Sequence, residues 1–395
     1  MEPKIRFKGF EGEWKTSAIG DFTTSFSGGT PTAGASEFYG GNIPFIRSGE
    51  IHESKTELFL TDAGLNNSSA KVVEKGTLLY ALYGATSGEV GISKIKGAIN
   101  QAILAIYPNK TVDKRFLANY LQSHKQKIVG ELLQGGQGNL SGALVKSISV
   151  NYPNNREQQA ISDYVDSLDS QISASTSRLA SLKQMKAASL QAMFPQEGET
   201  VPKIRFKGFE GEWKKVKFSE LYERSSIKND LSFGTDKIIS VANMYFIKNS
   251  RQVDDDYLRS YNIMRLGDIA FEGNKSKNFA HGRLVENTIG DGIVSHVFIV
   301  MKPISKNYDL NFWKYYINNE NIMGNILVRS TKSSTMMTDL VVDDFLKESI
   351  LVPSYEEQIE IGKILTSLDR QISLQSQRLE KLKQIKSACL DKMFV

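Results

Sequence analysis

Two stretches of this 395-residue chain carry the same spacing of apolar residues. In residues 153–194, Ile161, Val165, Leu168, Ile172, Leu179, Leu182, Ser189 and Met193 fall at alternating steps of four and three, with gaps. In residues 353–394, Ile361, Leu365, Leu368, Ile372, Leu379, Leu382, Cys389 and Met393 occupy the same places. Such steps, sustained for about five repeats, line one seam of a helix that needs a partner along its length, which is the pattern of a coiled coil. Polar residues interrupt both seams at matching points, first Ser175 and Gln375, then Lys186 and Lys386. Such breaks cost stability and set register. Each run starts after a proline (Pro153, Pro353) with a Glu-Gln pair in its first turn, a helix-start pattern. About 37 residues make a rod of roughly 55 Å, and each rod is the natural partner of the other.

A second repeat says how the rods are joined. PKIRFKGFEGEWK stands at residues 3–15 and returns unchanged at 202–214, after the short link Gln196–Val201. That link spans at most about 20 Å, so the second rod must run back along the first for the seams to meet. The pairing is expected to be antiparallel, with the two chain ends near each other. Basic residues and Phe7, Phe10 and Trp14 in the tag suit either a DNA-facing edge or a strap packed on rod and globule, and its identity in both halves favours the strap.

Between tag and rod lie two segments with a common order of patterns. In the first, a turn-rich stretch leads to a short strand around Pro44–Arg47, two strands flank a Tyr83–Gly88 turn, and INQAILAIYP reads as one buried strand. Asp113 then caps a helix with Phe116, Leu117, Tyr120, Leu121, Ile128 and Leu132 on one face, followed by a polar loop and the strand VKSISVNYP. In the second, IISVANMYFI reads as a strand, and 266–284 as strand, polar turn and strand. Ile293–Val300 matches the buried strand, Asp309 caps the helix, Val328–Leu340 is a loop, and LKESILVP closes the domain. The expected architecture is α+β and pseudo-two-fold: two mixed α/β domains separated by two long helices in an antiparallel coiled coil. The divisions are 1–152, a first rod at 153–194, a linker at 195–201, 202–352, and a second rod at 353–395.

Composition narrows the function. The single cysteine, Cys389, excludes a disulfide framework and a Cys-based zinc site within the chain. No apolar run approaches the roughly 18 residues of a membrane span, so no membrane and a cytoplasmic setting are expected. A net charge of +5 permits nucleic acid without demanding it. There is no phosphate-binding GxxxxGK[ST], no GxSxG elbow, no NPPY-type motif, and no metal-like spacing among the four histidines. No catalytic centre and no metal site are expected.

Binding signals lie in the loops. Between Gly273 and Val285, and again between Asn321 and Thr338, no acidic residue occurs. These windows hold Asn274, Lys275, Lys277, His281 and Arg283, then Arg329, Ser330, Lys332 and Ser333. The parallel loops of the first half carry Thr30, Thr32, Arg47, Ser48, Tyr83, Thr86, Ser87, Gln134, Gln137 and Asn139. Basic residues beside Ser, Thr, Asn and Gln are the equipment for gripping phosphate and reading base edges. Any one of them also suits a solvated loop, and their clustering in equivalent loops is what points to DNA.

GGTPT, NIPFIRSGEI, GATSGEVG and GAINQAILAIYP in the first half, with the proline–EQ–heptad helix after each half, resemble the specificity subunit of a Type I restriction-modification system. The resemblance covers essentially the whole chain. It implies two target-recognition domains, each reading half of a bipartite double-stranded DNA sequence. It further implies paired helices that set the spacing and dock two methyltransferase subunits, to which motor-nuclease restriction subunits add. No cofactor is implied in this chain; S-adenosylmethionine, ATP and magnesium fall to the partners. Two other readings are a self-sufficient nuclease or methyltransferase, and a tandem nucleic-acid-binding or scaffold protein unrelated to restriction.

Overall fold

The computed structural model describes residues 2–132, 139–248, 254–277, 279–333 and 337–395, with Ser333 described by its backbone alone. Two compact units form, one of Met1–Thr176 with Gln377–Val395, the other of Ser177–Ser376. The rods are helices Asn155–Ala192 and Tyr355–Lys392, so each unit holds one globule, the first half of the rod that follows it and the second half of the other rod.

The first unit is built on a four-stranded antiparallel sheet in the order Thr23–Ser27, Ile103–Pro108, Leu78–Ala81, Val90–Ile92. Alternation along its strands divides two cores. Leu78, Tyr80, Leu104 and Ile106 pack on Phe116, Leu117 and Tyr120 of helix Lys114–Ser123. Leu79, Ala81, Ile103 and Ala105 face Ile46, Val73 and Ile99 of a second sheet, ordered Leu58–Leu60, Tyr39–Ile46, Gly97–Ile99, Lys71–Val73. Covered on both faces, the central strands are uniformly apolar.

The second unit repeats the scheme. Its sheet runs Tyr222–Ser225, Ile299–Pro303, Ile269–Glu272, Arg283–Glu286. Ile269, Phe271, Leu284 and Met301 meet Phe312, Trp313 and Tyr316 of helix Leu310–Tyr316, while Ala270, Val285 and Val300 face Ile239, Met264 and Val294. In each unit a strand that begins on the last residue of the tag pairs antiparallel with the strand before the rod, Lys15–Ala18 with Ser149–Tyr152 and Lys214–Lys217 with Ser349–Val352.

Several local expectations are corrected. INQAILAIYP and Ile293–Val300 are not single strands. Turns at Asn100–Ala102 and Ser295–Phe298 split each into two strands that belong to different sheets. The helix after Asp113 ends at Ser123, and Ile128 and Leu132 belong to a second helix, Lys125–Leu132. VKSISVNYP begins inside helix Gly142–Ser147, which Ser141 caps. IISVANMYFI is a hairpin of two short strands whose turn Met244 makes with φ 50°. Val328–Leu340 runs from a helix ending at Ser330 into the hairpin Thr331–Ser333 and Thr338–Leu340. Between the apolar runs a few polar residues mark the turns, which apolar content alone does not reveal.

Within each unit the rods pair antiparallel. In the first, Ile161 shares a core with Met393 and Phe394, and Lys386 Nζ donates to Asp169 Oδ1 at 2.5 Å, so numbers rise along one rod as they fall along the other. In the second, Ile361 and Leu365 meet Met193 and Phe194, and Lys186 Nζ donates to Asp369 Oδ1 at 2.5 Å. Ile161, Leu168, Leu182, Ile361, Leu368, Leu379 and Leu382 are buried, and Ile172, Leu179 and Ile372 half-buried. The tag is a strap. Arg6 grips the buried Glu157 with Nε and Nη2 at 2.7 and 2.8 Å and donates from Nη1 to the Gly12 carbonyl at 2.7 Å. Arg205 does the same with Glu357 and Gly211. Gly9 and Gly12, like Gly208 and Gly211, hold φ between 74° and 99°, which bends the strap around its arginine. Ile5 N–H donates to Lys392 O at 3.0 Å, which brings the two ends of the chain together in the first unit.

The Glu-Gln pair acquires its reason here. Its glutamate takes the strap arginine. Its glutamine accepts the backbone N–H of the helix-capping residue, Gln158 from Asp113 at 2.7 Å and Gln358 from Asp309 at 3.2 Å. Rod, strap and globule helix are thereby locked to one another.

Candidate nucleic-acid interface

In the first unit the ends of the central strands converge on the turn Asn100–Ala102. Gly28 and Gly29 donate to the carbonyls of Ile103 and Ile99, Asn100 N–H to Ile46, Leu82 N–H to Ala102, and Leu140 N–H to Leu82. A Cβ on Gly28 would lie 1.8 Å from the Ile99 oxygen, so only glycine allows that approach. This network gathers Thr30, Arg47, Tyr83 and Asn139, which are far apart in sequence, at one end of the sheet. Tyr83 and Asn139 form a β-bridge, and the Thr30 hydroxyl donates to Gln101 Oε1. Thr32 is exposed and Ser48 half-buried. Thr86 donates to its own turn, at Tyr83 O. Ser87 is buried and donates to Leu82 O, which makes it a part of the turn and not of the surface. Gln134 and Gln137 lie outside the described residues.

The second unit makes the corresponding junction. Asn274 bridges Met337, and Thr338 N–H donates to the Gly273 carbonyl, which joins the end of strand Ile269–Glu272 to the hairpin after Ser330. Lys275, Lys277 and Lys332 are exposed, and His281 is half-buried. Ser330 is fully buried and donates to Ile326 O, closing its helix. Ser333 contributes its backbone to the hairpin.

The three candidate arginines share one arrangement. Arg47 donates from Nε and Nη2 to Glu50 at 3.0 and 2.9 Å, and from Nη2 to Glu57 at 2.6 Å. Arg283 donates from Nε to Glu272 at 2.7 Å and from Nη2 to Ala242 O at 2.6 Å. Arg329 takes both oxygens of Glu348 at 2.9 and 2.7 Å. Each guanidinium is clamped in its plane through Nε and Nη2, and among the described residues Nη1 is left unengaged. The pairing is electrostatically tight at Arg47. Burial would push the Glu50 carboxyl up, yet the Arg47 guanidinium and the backbone N–H groups of Glu57 and Arg47 hold it at about 2. The windows free of acidic residues along the chain are therefore not free of them in space. Glu272 stands one residue before the first window and pairs across strands, and Glu348 arrives from 19 residues away.

The turn tips themselves, Gln101, His296 and Val297, are hidden in the sequence, because the apolar runs on either side read as one strand. The usable signal was Asn-Gln and Ser-His set between apolar residues. Among the described residues no group of His, Cys, Asp and Glu is arranged to hold a metal, and no helix is long and apolar enough to cross a membrane.

Two globules of one scheme, each strapped to the rods of its own unit, thus make up the chain, and comparison with known proteins gives it a family. The model of the Type I restriction modification DNA specificity domain matches the chain twice, over residues 11–184 and 210–384. The chain belongs to that family. It is 29% identical over 168 residues to the Type I restriction enzyme MjaIX specificity subunit of Methanocaldococcus jannaschii, covering 40% of this chain and 38% of that one. With the EcoR124I/EcoR124II specificity subunit of Escherichia coli it shares 24% over 174 residues, 42% of this chain and 43% of the other. The chain thus spans about two-fifths of the length of these two relatives. The MjaVIII specificity subunit of M. jannaschii aligns at 20% over 96% of this chain and 91% of its own. The fold is that of the Type I restriction-modification S subunit from M. genitalium, with a TM-score of 0.61 at 14% identity over 100% and 99% of the two chains.

Proposed function

We propose that the chain is the non-catalytic, sequence-reading subunit of a Type I restriction-modification complex. Each globule reads one half of a bipartite duplex target. The paired rods carry the readers and dock two methyltransferase subunits, to which motor-nuclease subunits add. Methyl transfer with S-adenosylmethionine, and cleavage with ATP and magnesium, belong to those partners. The setting is cytoplasmic.

One observation carries this reading. Two globules of the same family place two polar loops with different residues at equivalent strand ends of a shared scaffold, and that is how one architecture reads two unrelated half-sites. Exposed lysines such as Lys275, Lys277 and Lys332 suit phosphate, which positions the duplex. The clamped Arg47, Arg283 and Arg329 present a pre-oriented Nη1 to phosphate or a base acceptor, with the side-chain entropy already spent.

The test is methylation sequencing of cells that carry this chain with its methyltransferase, before and after residues 16–152 are exchanged for another recognition domain. One half of the methylated motif is expected to change and the other to persist. A motif that changes in both halves, or does not depend on this chain, overturns the reading. The purified chain alone, given DNA with S-adenosylmethionine or magnesium, is expected to leave it unchanged.

A further inference from the structure

The turns Asn100–Ala102 and Ser295–Phe298 correspond without a gap. On one side, Phe45 pairs in parallel with Ala98, as Ile238 does with Ile293. On the other, Leu78 pairs with Ile106, as Ile269 does with Met301. Both sides give the same offset, so Gln101 corresponds to His296 and Ala102 to Val297.

Both turns have anchored backbones and free tips. The first, with the residue on either side of it, is tied by four backbone hydrogen bonds to the ends of three neighbouring strands, as described above. In the second, Phe298 N–H donates to Ser295 O at 3.0 Å, and Phe298 O accepts from Asn262 Nδ2 at 3.0 Å. Asn262 is in turn held by Lys228 at 2.8 Å. Gln101 and His296 are exposed, and Val297, at 65%, is the most exposed large apolar residue among the described ones. A lone exposed valine is ordinary. This one stands on an immobilised tip at the strand ends that also carry the polar loops. Gln101 is oriented as well, because Thr30 donates to its Oε1. Among the described residues its Nε2 has no partner, so a donor and the second lone pair of an acceptor face outward together.

We propose, resting on the DNA-reading function above, that these two turns read bases. Gln101 hydrogen-bonds an adenine of the first half-site through N7 and the N6 amino group, and Val297 packs on a thymine methyl of the second. The residue types fit those edges of the major groove, and the anchored backbone removes the ordering cost that a mobile loop would carry.

The experiment begins with the complex that the tagged full-length chain forms in its own cells, used to select from a pool of random duplexes. In the selected sequence each first-half adenine is replaced by 7-deazaadenine, which lacks the N7 acceptor, and each second-half thymine by deoxyuridine, which lacks the methyl. One 7-deazaadenine position is expected to weaken wild-type binding about five-fold and to leave Gln101→Ala unaffected. One deoxyuridine position is expected to cost about four-fold and to leave Val297→Ala unaffected. Both side chains face solvent, so melting temperatures should not move. If both variants respond to the analogues as the wild type does, or lose affinity equally on all sequences with a reduced salt slope, this proposal falls and the DNA-reading function stands. A wild-type complex that selects no sequence overturns both.

Discussion

A residue's chemistry here depends on partners that chain distance hides. Arg283 and Arg329 lie in stretches without acidic residues, yet each is held by a carboxylate from an adjoining element. Glu286 shows the same at greater depth. It replaces Ile92 of the first unit, as the strand registers show, and is 3% exposed beneath Tyr308, whose hydroxyl donates to Oε1 while Oε2 has no partner. Burial pushes this carboxyl from an ordinary 4.5 up to about 9. The folded chain therefore keeps a proton that the unfolded chain releases near 4.5. The stabilisation is complete below that pH and is lost progressively as pH rises towards 9. Asp268, raised to about 6 by burial, acts in the same direction but only at the acid end of the window. Between pH 6.5 and 8.5 the opening free energy of strand Arg283–Glu286, read by hydrogen exchange corrected for intrinsic rates, is expected to fall by about 1.4 kcal/mol per pH unit. Glu286→Gln, which keeps the acceptor for Tyr308, should flatten that slope. A wild-type slope near zero would contradict the assignment.

Among the elements, the rods and strap were the most legible, because both are written twice and a heptad seam reports its own geometry. The rods observed, Asn155–Ala192 and Tyr355–Lys392, start two residues after their prolines. Less legible were the sheet strands. Their covered faces erase the alternation that marks a strand, and only two polar letters, Asn100 and Gln101, with Ala102, separate Ile99 from Ile103. The lysines that interrupt the seams were visible, but their partners, Asp169 and Asp369, were not, since register emerges only when the rods meet. The strap arginine tests how firmly rod and globule are joined. Arg6→Ala leaves Glu157, whose side chain is 1% exposed, as an unpaired buried carboxylate. The expected cost is about 3–5 kcal/mol, seen as a lower melting temperature of the full chain. Replacing both Arg6 and Glu157 by methionine should cost markedly less. Equal losses in the two variants would mean that the charge pair is not the cause.

At the scale of the molecule, the notable residues are the last apolar pair of each rod. Phe394 lies 5.2 Å from the ring of Phe116 and 6.2 Å from Tyr120, and Phe194 holds the same place against Phe312 and Tyr316 at 5.9 and 5.1 Å. A fragment of residues 1–200 lacks Met393 and Phe394 but carries their equivalents, Met193 and Phe194. Two copies are therefore expected to dimerise at micromolar concentration, each filling the other's vacancy, with Phe194→Ala weakening the dimer. Sedimentation that shows a strictly monomeric, folded fragment would refute this. The same plug bears on synthesis. A ribosome releases residues 177–376 before 377–395, so the second unit has all its parts in hand while the first still waits for Phe394. Folding order during translation should thus run opposite to sequence order: in nascent chains stalled after residue 376 has emerged, the second globule is already protease-resistant and the first remains open, unless a neighbouring polypeptide lends it a plug.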